Sequence, residues 1–282
     1  MARAHLEEMI SFYEPHQHHR SLVFLRGSDA GLSALSYDAC CLWCLGYPDQ
    51  ALSRSQEALA LARELGHPFS LADVLYYAGC LLNEMRREAQ AFKDDAEELM
   101  RLANERVPGW LGQGIRSRGA ALAMLGQIQE GMAQMREGMA VDQSLGVRLD
   151  LSGTLGSLAE AQASAGQAEA GLSTLAEAVA FVEKTGERYY EAEIYRLQGE
   201  LLLMQGDEAE AEASFHKAIE VARRQQAKSW ELRATVSLCR LWQEQGRMDE
   251  ARQMLAEIYG WFTEGFDSPD LQEAKALLED LT

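Results

Sequence analysis

Apolar and small side chains recur every three to four positions along most of the chain, and glycines interrupt them at regular intervals. Such spacing puts apolar side chains on one face of an α-helix, and a glycine directly after the stretch is a helix stop signal. Only 5 prolines occur in 282 residues. The pattern therefore predicts long helices joined by short turns.

The predicted turn glycines have a constant period. Gly126, Gly166, Gly206 and Gly246 follow one another at intervals of 40 residues. Going backwards, the interval continues with small drift to Gly46, with Glu84 in place of the second glycine. Internal periods of 20 to 50 residues are typical of stacked repeats. The chain is therefore predicted to be a helical repeat array.

Small side chains mark the predicted contacts between paired helices. They occur five positions after each turn residue, at Ala51, Ala89, Gly131, Gly171, Ala211 and Ala251. Small residues let antiparallel helices approach closely. The pattern resembles the tetratricopeptide repeat (TPR), although the period is near 40 rather than 34. The match is best at Gly199, Leu202, Gly206, Ala211, Phe215 and Ala218.

The predicted fold is all-α, a right-handed α-solenoid of about six TPR-like hairpins in residues 27–266 with a C-terminal capping helix. The first helix of each hairpin, helix A, is expected at 31–45, 69–84, 110–125, 149–165, 189–205 and 229–245. The second, helix B, is expected to end near residues 65, 105, 145, 185, 226 and 262.

The two ends of the chain differ from the repeats. Residues 1–26 are predicted to be a remnant helix of a preceding repeat, followed by a loop. Residues 267–282 are predicted to form the capping helix, because Ser268 and Pro269 are a helix start signal and an apolar stripe follows. A capping helix covers the apolar face of a last repeat. The remnant helix predicts that the chain is a fragment of a longer protein, and its apolar stripe offers weak homodimerisation as an alternative.

Charge and composition exclude several classes of partner. The chain has 26 Lys and Arg against 44 Asp and Glu, a net charge of −18. This argues against binding nucleic acid or an anionic membrane surface, since both need clustered cations. No apolar run approaches the roughly 20 residues of a membrane span, and the N-terminus does not resemble a signal peptide. With five cysteines in no disulfide-like spacing, the predicted location is the cytoplasm.

Two groups of residues are candidates for metal binding. Cys40 and Cys44 lie four positions apart on one predicted helix, and His16, His18 and His19 cluster near the N-terminus. A closed zinc site needs about four ligands, and neither group has a partner set with matching spacing. We therefore expect helix-packing cysteines, a solvated loop of histidines, and no metal.

Catalysis is not predicted. The sequence has no Gly-Lys pair, so it lacks the phosphate-binding loop of P-loop ATPases. Its serine–glycine pairs lack the strand–turn–helix context of a nucleophile elbow. No cofactor and no enzymatic activity are expected.

The inward face of the A helices is the predicted partner-binding groove. Helical spacing places on it Trp43, Arg116, Arg196, Glu200, Arg233 and Arg240. Arginine suits carboxylate recognition, and tryptophan is common in binding hot spots. The alternative is that the arginines pair with Glu160, Glu193 and Glu200 and join neighbouring repeats. A further alternative is a cavity for a small effector, lined by Trp43, Tyr76, Tyr77 and Trp110.

Several longer strings resemble one family. They are Gly186–Glu193, Arg196–Leu203, Ala222–Ser229 and Tyr259–Asp267, followed by Asp270–Lys275. Together they resemble the C-terminal TPR region of bacterial multidomain proteins that join a class III adenylate/guanylate cyclase to an AAA/STAND-type ATPase. The resemblance implies a non-catalytic regulatory scaffold that binds a peptide or protein, such as the upstream ATPase and cyclase domains of the same polypeptide. The alternative it leaves open is an effector-sensing solenoid of a STAND-type regulator.

Overall fold

Helical hairpins make up the fold. The computed structural model describes residues 2–281, and all the regular elements in that range are helices. The first four A–B pairs are α3 (Ala30–Cys44) with α4 (Pro48–Leu65), the interrupted helix from Pro68 to Met85 with α7 (Ala89–Glu105), α8 (Leu111–Met124) with α9 (Ile128–Ser144), and α10 (Leu151–Ser164) with α11 (Ala168–Thr185). The last two are α12 (Glu191–Met204) with α13 (Glu208–Gln225), and α14 (Lys228–Glu244) with α15 (Met248–Tyr259). The predicted helices are confirmed, with ends that differ by at most a few residues.

The periodic glycines lie at the corners between helices. Gly46, Gly126, Gly166, Gly206 and Gly246 have φ angles of 88°, 85°, 73°, 81° and 78°. A left-handed conformation after the last helical residue is a common way to end a helix, and glycine adopts it without a Cβ clash. The prediction that these glycines form the A-to-B turns is confirmed.

The second repeat departs from the predicted register. Its A helix consists of α5 (Pro68–Val74), a π-helical segment (Leu75–Leu81) and α6 (Leu82–Met85). Glu84 lies inside α6, and the left-handed residue at the turn is Arg87, with φ of 62°. The prediction that Glu84 replaces the turn glycine is therefore wrong. A π-helical segment accommodates an extra residue, which moves the turn towards the C-terminus.

The corrected register also changes the predicted helix contact. Five positions after the true turn stands Phe92, which is buried, whereas Ala89 is only partly buried at the start of α7. The close-contact position of this repeat therefore holds a large side chain.

The N-terminal segment is a pair of helices, α1 (Ala2–Ser11) and α2 (Pro15–Arg26). The predicted loop after α1 is wrong, because α2 occupies it. Pro15 stands in the first turn of α2, where a missing N–H is tolerated. The helix ends at Gly27, whose N–H donates to the carbonyl of Val23. None of its side chains is buried, and its apolar residues at 22–25 are consecutive rather than spaced at helical intervals, so the sequence did not indicate a helix.

The chain divides into two units. The N-terminal unit comprises Met1–Trp43 and Pro48–Arg148, and the C-terminal unit comprises Cys44–Tyr47 and Leu149–Thr282. In the N-terminal unit, Ile10 and Tyr13 pack against an apolar cluster formed by Leu32, Leu35, Ala58, Ala62, Val74 and Ala78. The helix pair α1–α2 therefore contacts the first hairpin.

The last helix of the C-terminal unit is α16 (Pro269–Asp280). Its apolar residues Leu271, Ala274 and Leu277 belong to one buried cluster with side chains of α13, α14 and α15, including Phe215 and Trp242. The apolar stripe identified in the sequence thus packs on the final hairpin, as a capping helix requires.

Candidate partner-binding surface

Arg196 is the centre of a charged network in the C-terminal unit. Its Nε and Nη2 donate to the two carboxylate oxygens of Glu193 at 2.9 and 2.8 Å, and its Nη1 donates to Glu200 at 3.0 Å. All three residues lie on α12 at helical spacings of three and four, where side chains meet. The paired geometry of the first two bonds is the strong form of arginine–carboxylate contact.

A serine connects this network to the next A helix. Ser237 Oγ on α14 donates to the same carboxylate oxygen of Glu200 at 2.6 Å, and Arg196 Nη1 lies 3.3 Å from Ser237 Oγ. The side chains of α12 thereby bond directly to α14. This arrangement joins two neighbouring repeats through polar contacts.

Arg233 on α14 connects the same network to α16. Its Nε and Nη2 each lie 2.9 Å from an oxygen of Asp270, and its Nη1 is 3.9 Å from Glu193. The guanidinium carbon also lies 5.0 Å from the centre of the Trp230 ring, a cation–π contact. The side chain is largely buried, so its charge is balanced inside the protein.

Glu200 is the most exposed member of the network, and Arg240, three residues after Ser237 on α14, is a second exposed charge. The Arg240 side chain is 51% exposed and its Nη2 lies 2.7 Å from Glu273 on α16, while the Glu200 side chain is 39% exposed. We name these residues together the charge row; its members are Glu193, Arg196, Glu200, Arg233, Ser237, Arg240, Asp270 and Glu273. The charge row offers one accessible carboxylate and one accessible guanidinium to a partner.

The two central arginines remain charged. Burial lowers the pKa of Arg196, but the carboxylates of Glu193 and Glu200 outweigh burial and the net shift is upward. Burial likewise lowers the pKa of Arg233, and Asp270 and Glu193 reverse it. Both side chains are therefore charged partners of the neighbouring carboxylates. The hypothesis that arginines join neighbouring repeats describes Arg196 and Arg233 better than the hypothesis of an open groove.

Two of the predicted groove residues lie in the protein interior. Trp43 and Arg116 are only 3% and 4% exposed, so the prediction that they line an accessible groove is wrong. Arg116 Nε donates to Asp142 at 3.0 Å, and its Nη2 donates to the Tyr76 hydroxyl at 2.9 Å. The helical period alone could not separate the solvent-facing side of an A helix from sides covered by neighbouring helices.

The predicted aromatic lining of an effector cavity is also interior. Tyr76, Tyr77 and Trp110 are buried, as is Trp43. The ring centres of Tyr76 and Tyr77 are 5.0 Å apart, and those of Tyr76 and Trp110 are 5.7 Å apart. Such tilted and edge-to-face contacts are typical of aromatic core packing. These side chains fill space between helices.

One polar and aromatic cluster of the N-terminal unit was not predicted. Ser33 Oγ on α3 donates to Asp73 Oδ2 on α5 at 2.6 Å. Four residues further along each helix, the rings of Tyr37 and Tyr77 are 4.6 Å apart. Both pairs are separated by the 40-residue period, and this spacing was the signal in the sequence that identifies them.

His16, His18 and His19 lie on α2, and one of them, His19, has a buried partner. His19 Nδ1 lies 2.6 Å from Asp29 Oδ2, and the Tyr13 hydroxyl donates to the same oxygen at 2.7 Å. The other oxygen of Asp29 accepts the backbone N–H of Gly31 at 2.9 Å, so this carboxylate fixes α2 to the start of α3. Within residues 2–281, no group of three or more His, Cys, Asp or Glu side chains is arranged to hold a metal ion.

Solved structures with a similar fold decide the architecture. A Rap protein complexed with Competence and Sporulation Factor matches with a TM-score of 0.66 at 13% identity, over 100% of this chain and 86% of that chain. A TPR protein from Parabacteroides merdae matches with a TM-score of 0.55 at 13% identity, over 99% and 98% of the two chains. The fold is a TPR-like α-solenoid. Yeast Tom70 matches with a TM-score of 0.53 at 14% identity, over 99% of this chain and 53% of that chain.

The similarity of this chain to known proteins is weaker in sequence than in fold. No protein-family profile matches the chain. An uncharacterized protein of Rhizobium meliloti (strain 1021) is 26% identical over 241 residues, which are 81% of this chain and 22% of that protein. The chain therefore spans about a fifth of the length of the curated relative it matches. In the described part of the chain, no helix combines the length and apolar character needed to cross a membrane.

Proposed function

We propose that this chain is a non-catalytic protein-interaction module, and that the charge row contacts a peptide or protein partner. The observation that carries the proposal is the exposure of two opposite charges on neighbouring A helices: Glu200, at the edge of the network around Arg196, and Arg240, which pairs with Glu273. Their neighbours are held by short hydrogen bonds within and between helices. Glu200 is itself held by Arg196 and Ser237, and Arg240 by Glu273. Side chains that are already held in place lose little conformational freedom on binding, which favours recognition.

The charge pattern defines the partner surface. Glu200 lies on α12 and Arg240 on α14, so a bound segment meets a carboxylate on one helix and a guanidinium on the next. A complementary partner presents a basic group to Glu200 and an acidic group to Arg240. Matching of opposite charges contributes more to specificity and association rate than to raw affinity.

The finer proposal is that the module is the cytoplasmic regulatory tail of a bacterial cyclase/ATPase signalling protein. Its support is the set of strings that resemble that family, together with the Rhizobium meliloti relative, in which the matching segment is only about a fifth of the protein. The similar Rap protein was solved in complex with a bound factor, which supports a binding role for this fold. We do not propose a catalytic residue or a cofactor.

An effector-sensing solenoid is the second hypothesis. Its aromatic lining, Trp43, Tyr76, Tyr77 and Trp110, is buried in helix contacts. Because these side chains fill space between helices, they do not support the effector hypothesis. The exposed charges of the charge row favour the interaction module instead.

A pair of charge reversals tests the interaction surface. The variant Glu200→Lys with Arg240→Glu reverses both exposed charges and keeps the net charge. Its matched control is Lys217→Glu with Glu257→Lys, which exchanges the same charge types on the B helices α13 and α15. Proteins retained from a bacterial lysate on the immobilised chain are quantified by mass spectrometry, with melting temperatures measured in parallel.

We expect at least one protein to be retained by the wild type and the control and to fall about tenfold or more with the charge-row variant, because each mismatched charge pair weakens association. Equal retention by both variants at unchanged stability would show that the charge row is not the partner surface. The regulatory-tail proposal has a separate test. The native reading frame must encode a phosphate-binding loop upstream of this segment, and a frame without one removes the tail assignment while leaving the interaction module intact.

A further inference from the structure

Asp73 is a carboxylate with few partners for its degree of burial. It is 8% exposed, and its Oδ2 accepts the hydroxyl of Ser33. Among the described residues, the Ser33 hydroxyl is the one hydrogen-bond donor to this carboxylate, and no Lys, Arg or His nitrogen lies within 4.0 Å of it. Buried carboxylates are ordinarily paired with a cation or satisfied by several donors. Asp73 therefore has unused capacity to bind a positive group.

The side chain beside Asp73 suits the same kind of ligand. Tyr37 on α3 is 39% exposed, and its ring meets the ring of Tyr77 nearly edge-on, with an interplanar angle of 68°. One face of an exposed tyrosine ring attracts cations through its quadrupole. Burial and the charge of Asp73 raise the pKa of the Tyr37 phenol, so it stays neutral near pH 7. A carboxylate and an accessible aromatic ring thus lie on adjacent A helices.

The backbone at this position is unusual. The π-helical segment begins at Leu75, between Asp73 and Tyr77, and shifts the register of the helix after it. Segments of this type are rare and occur frequently at functional sites. This backbone feature is independent of the charge of Asp73, and it falls in the same turn of the helix.

The arginine that contacts Tyr76, in the π-helical segment after Asp73, also pairs with a different carboxylate. Arg116 on α8 pairs with Asp142 and donates to the Tyr76 hydroxyl. Burial raises the pKa of Asp73, only partly offset by the hydrogen bond from Ser33, which is the shift expected of a carboxyl group without a counter-ion. The net charge of −18 also raises the local concentration of cations around the protein.

We propose that Asp73, Tyr37, Tyr77 and Ser33 form a binding site for an alkylammonium group. Asp73 accepts the N–H groups of the ammonium, and Ser33 orients the carboxylate by bonding to its other oxygen. Tyr37 covers the alkyl carbons and the positive charge with its ring, and Tyr77 supports the ring of Tyr37. A lysine side chain and a free amino terminus both supply this chemistry. The site lies wholly in the N-terminal unit and does not depend on the charge row.

An NMR titration tests the site without a known partner. The protein carries ¹³C-labelled tyrosine, the Tyr37 signal is assigned from its loss in Tyr37→Phe, and n-butylammonium is the probe. We expect a saturable shift of the Tyr37 signal with a dissociation constant on the order of 1–10 mM, because a largely buried carboxylate and an aromatic ring contact the same ammonium group. The neutral probe n-butanol is expected to give no saturable shift.

Variants separate the contribution of each group. Asp73→Asn keeps the shape and removes the charge, and it is expected to weaken n-butylammonium binding at least tenfold. Asp94→Asn, which removes an exposed carboxylate from α7, is the matched control and should titrate like the wild type. Tyr37→Ala, at a partly exposed position, should weaken binding severalfold, measured through the Tyr77 signal, and serves if Asp73→Asn does not fold.

The two sources of the ammonium group are compared directly. Nα-acetyl-lysinamide presents a lysine side chain, and alaninamide presents a free amino terminus; the tighter of the two identifies the source. The proposal is overturned if n-butanol reproduces the n-butylammonium curve, or if Asp73→Asn binds as tightly as the wild type. Failure of the lysate experiment on the charge row would leave this result unaffected.

Discussion

Gly119 on α8 and Gly131 on α9 bring the backbones of their helices into direct contact. A Cβ built on Gly119 would lie 2.7 Å from the carbonyl oxygen of Gly131, and a Cβ on Gly131 would lie 2.6 Å from that of Gly119. Real Cβ atoms do not approach backbone oxygens so closely. Because the obstructing atoms belong to the backbone, they have no rotamer through which to move away, so both positions require glycine.

Gly131→Ala is therefore expected to destabilise the protein. Alanine gains about 1 kcal/mol over glycine in helix propensity, whereas overpacking of a tight helix contact costs roughly 1–3 kcal/mol or more. We expect a net loss of about 2 kcal/mol in the free energy of unfolding, measured by urea denaturation. The control is Gly126→Ala, where no atom lies within 4 Å of the new Cβ and only the φ of 85° opposes it. A stabilised Gly131→Ala would mean that the helices separate easily.

Arg87→Gly is expected to stabilise the second repeat. Arg87 occupies the left-handed turn position that glycine holds in other repeats, and a non-glycine residue there carries a conformational penalty of about 1 kcal/mol. Glu84→Gly should have the opposite effect and cost about 1 kcal/mol, since Glu84 lies within a helix. Thermal denaturation of both variants checks the register; a stabilising Glu84→Gly would contradict it.

Arg196→Ala is expected to lower stability far more than Arg240→Ala. Removal of Arg196 takes two hydrogen bonds and a full positive charge from the buried carboxylate of Glu193, and breaking a buried ion pair costs roughly 3–5 kcal/mol. Arg240 is half exposed, so its ion pair with Glu273 is worth about 0–1 kcal/mol. Chemical denaturation gives both values. Similar small losses would show that Arg196 does not join α12 to α14.

Asp95→Asn is expected to stabilise the protein at neutral pH. Burial raises the pKa of Asp95 to about 6, in spite of the hydrogen bond from Asn83 Nδ2 at 2.8 Å. A folded-state pKa above the unfolded value means that the native state binds the proton more tightly, so this group adds stability as the pH falls from about 6 towards 4.

The asparagine variant removes that dependence. The difference in unfolding free energy between Asp95→Asn and the wild type should be on the order of 2 kcal/mol at pH 7 and should shrink towards pH 4. Asp94→Asn controls for the loss of one negative charge from α7. A constant difference across this pH range would show that Asp95 titrates normally.

The sequence was sufficient to predict the hairpins because the signals that specify them are local. Glycines at the turns and small side chains at the helix contacts act within a few residues of the feature they determine. The π-helical segment was not predicted, because none of its residue types distinguishes a π-helix from an α-helix. Helix α2 was not predicted for a different reason: it has no buried side chain, and its apolar residues are consecutive rather than spaced at helical intervals.

Site residues were harder to predict than helices. The helical period places Trp43, Arg116 and Arg240 on the same face of their respective A helices. Their exposure differs because it depends on which neighbouring helices cover each residue. That information lies in contacts between residues about 40 positions apart. The pairing of Ser33 with Asp73 shows that the repeat period can supply it when the same position is compared in successive repeats.

Bonds between side chains about one period apart have an evolutionary consequence. Ser33 and Asp73 are 40 residues apart, as are Tyr76 and Arg116, and Arg196 and Ser237 are 41 apart. A tandem duplication of forty codons would preserve the contacts that the duplicated hairpin makes with its two former neighbours. Only the contact between the two copies would be new, so such a gene can gain a segment at the cost of one new interface.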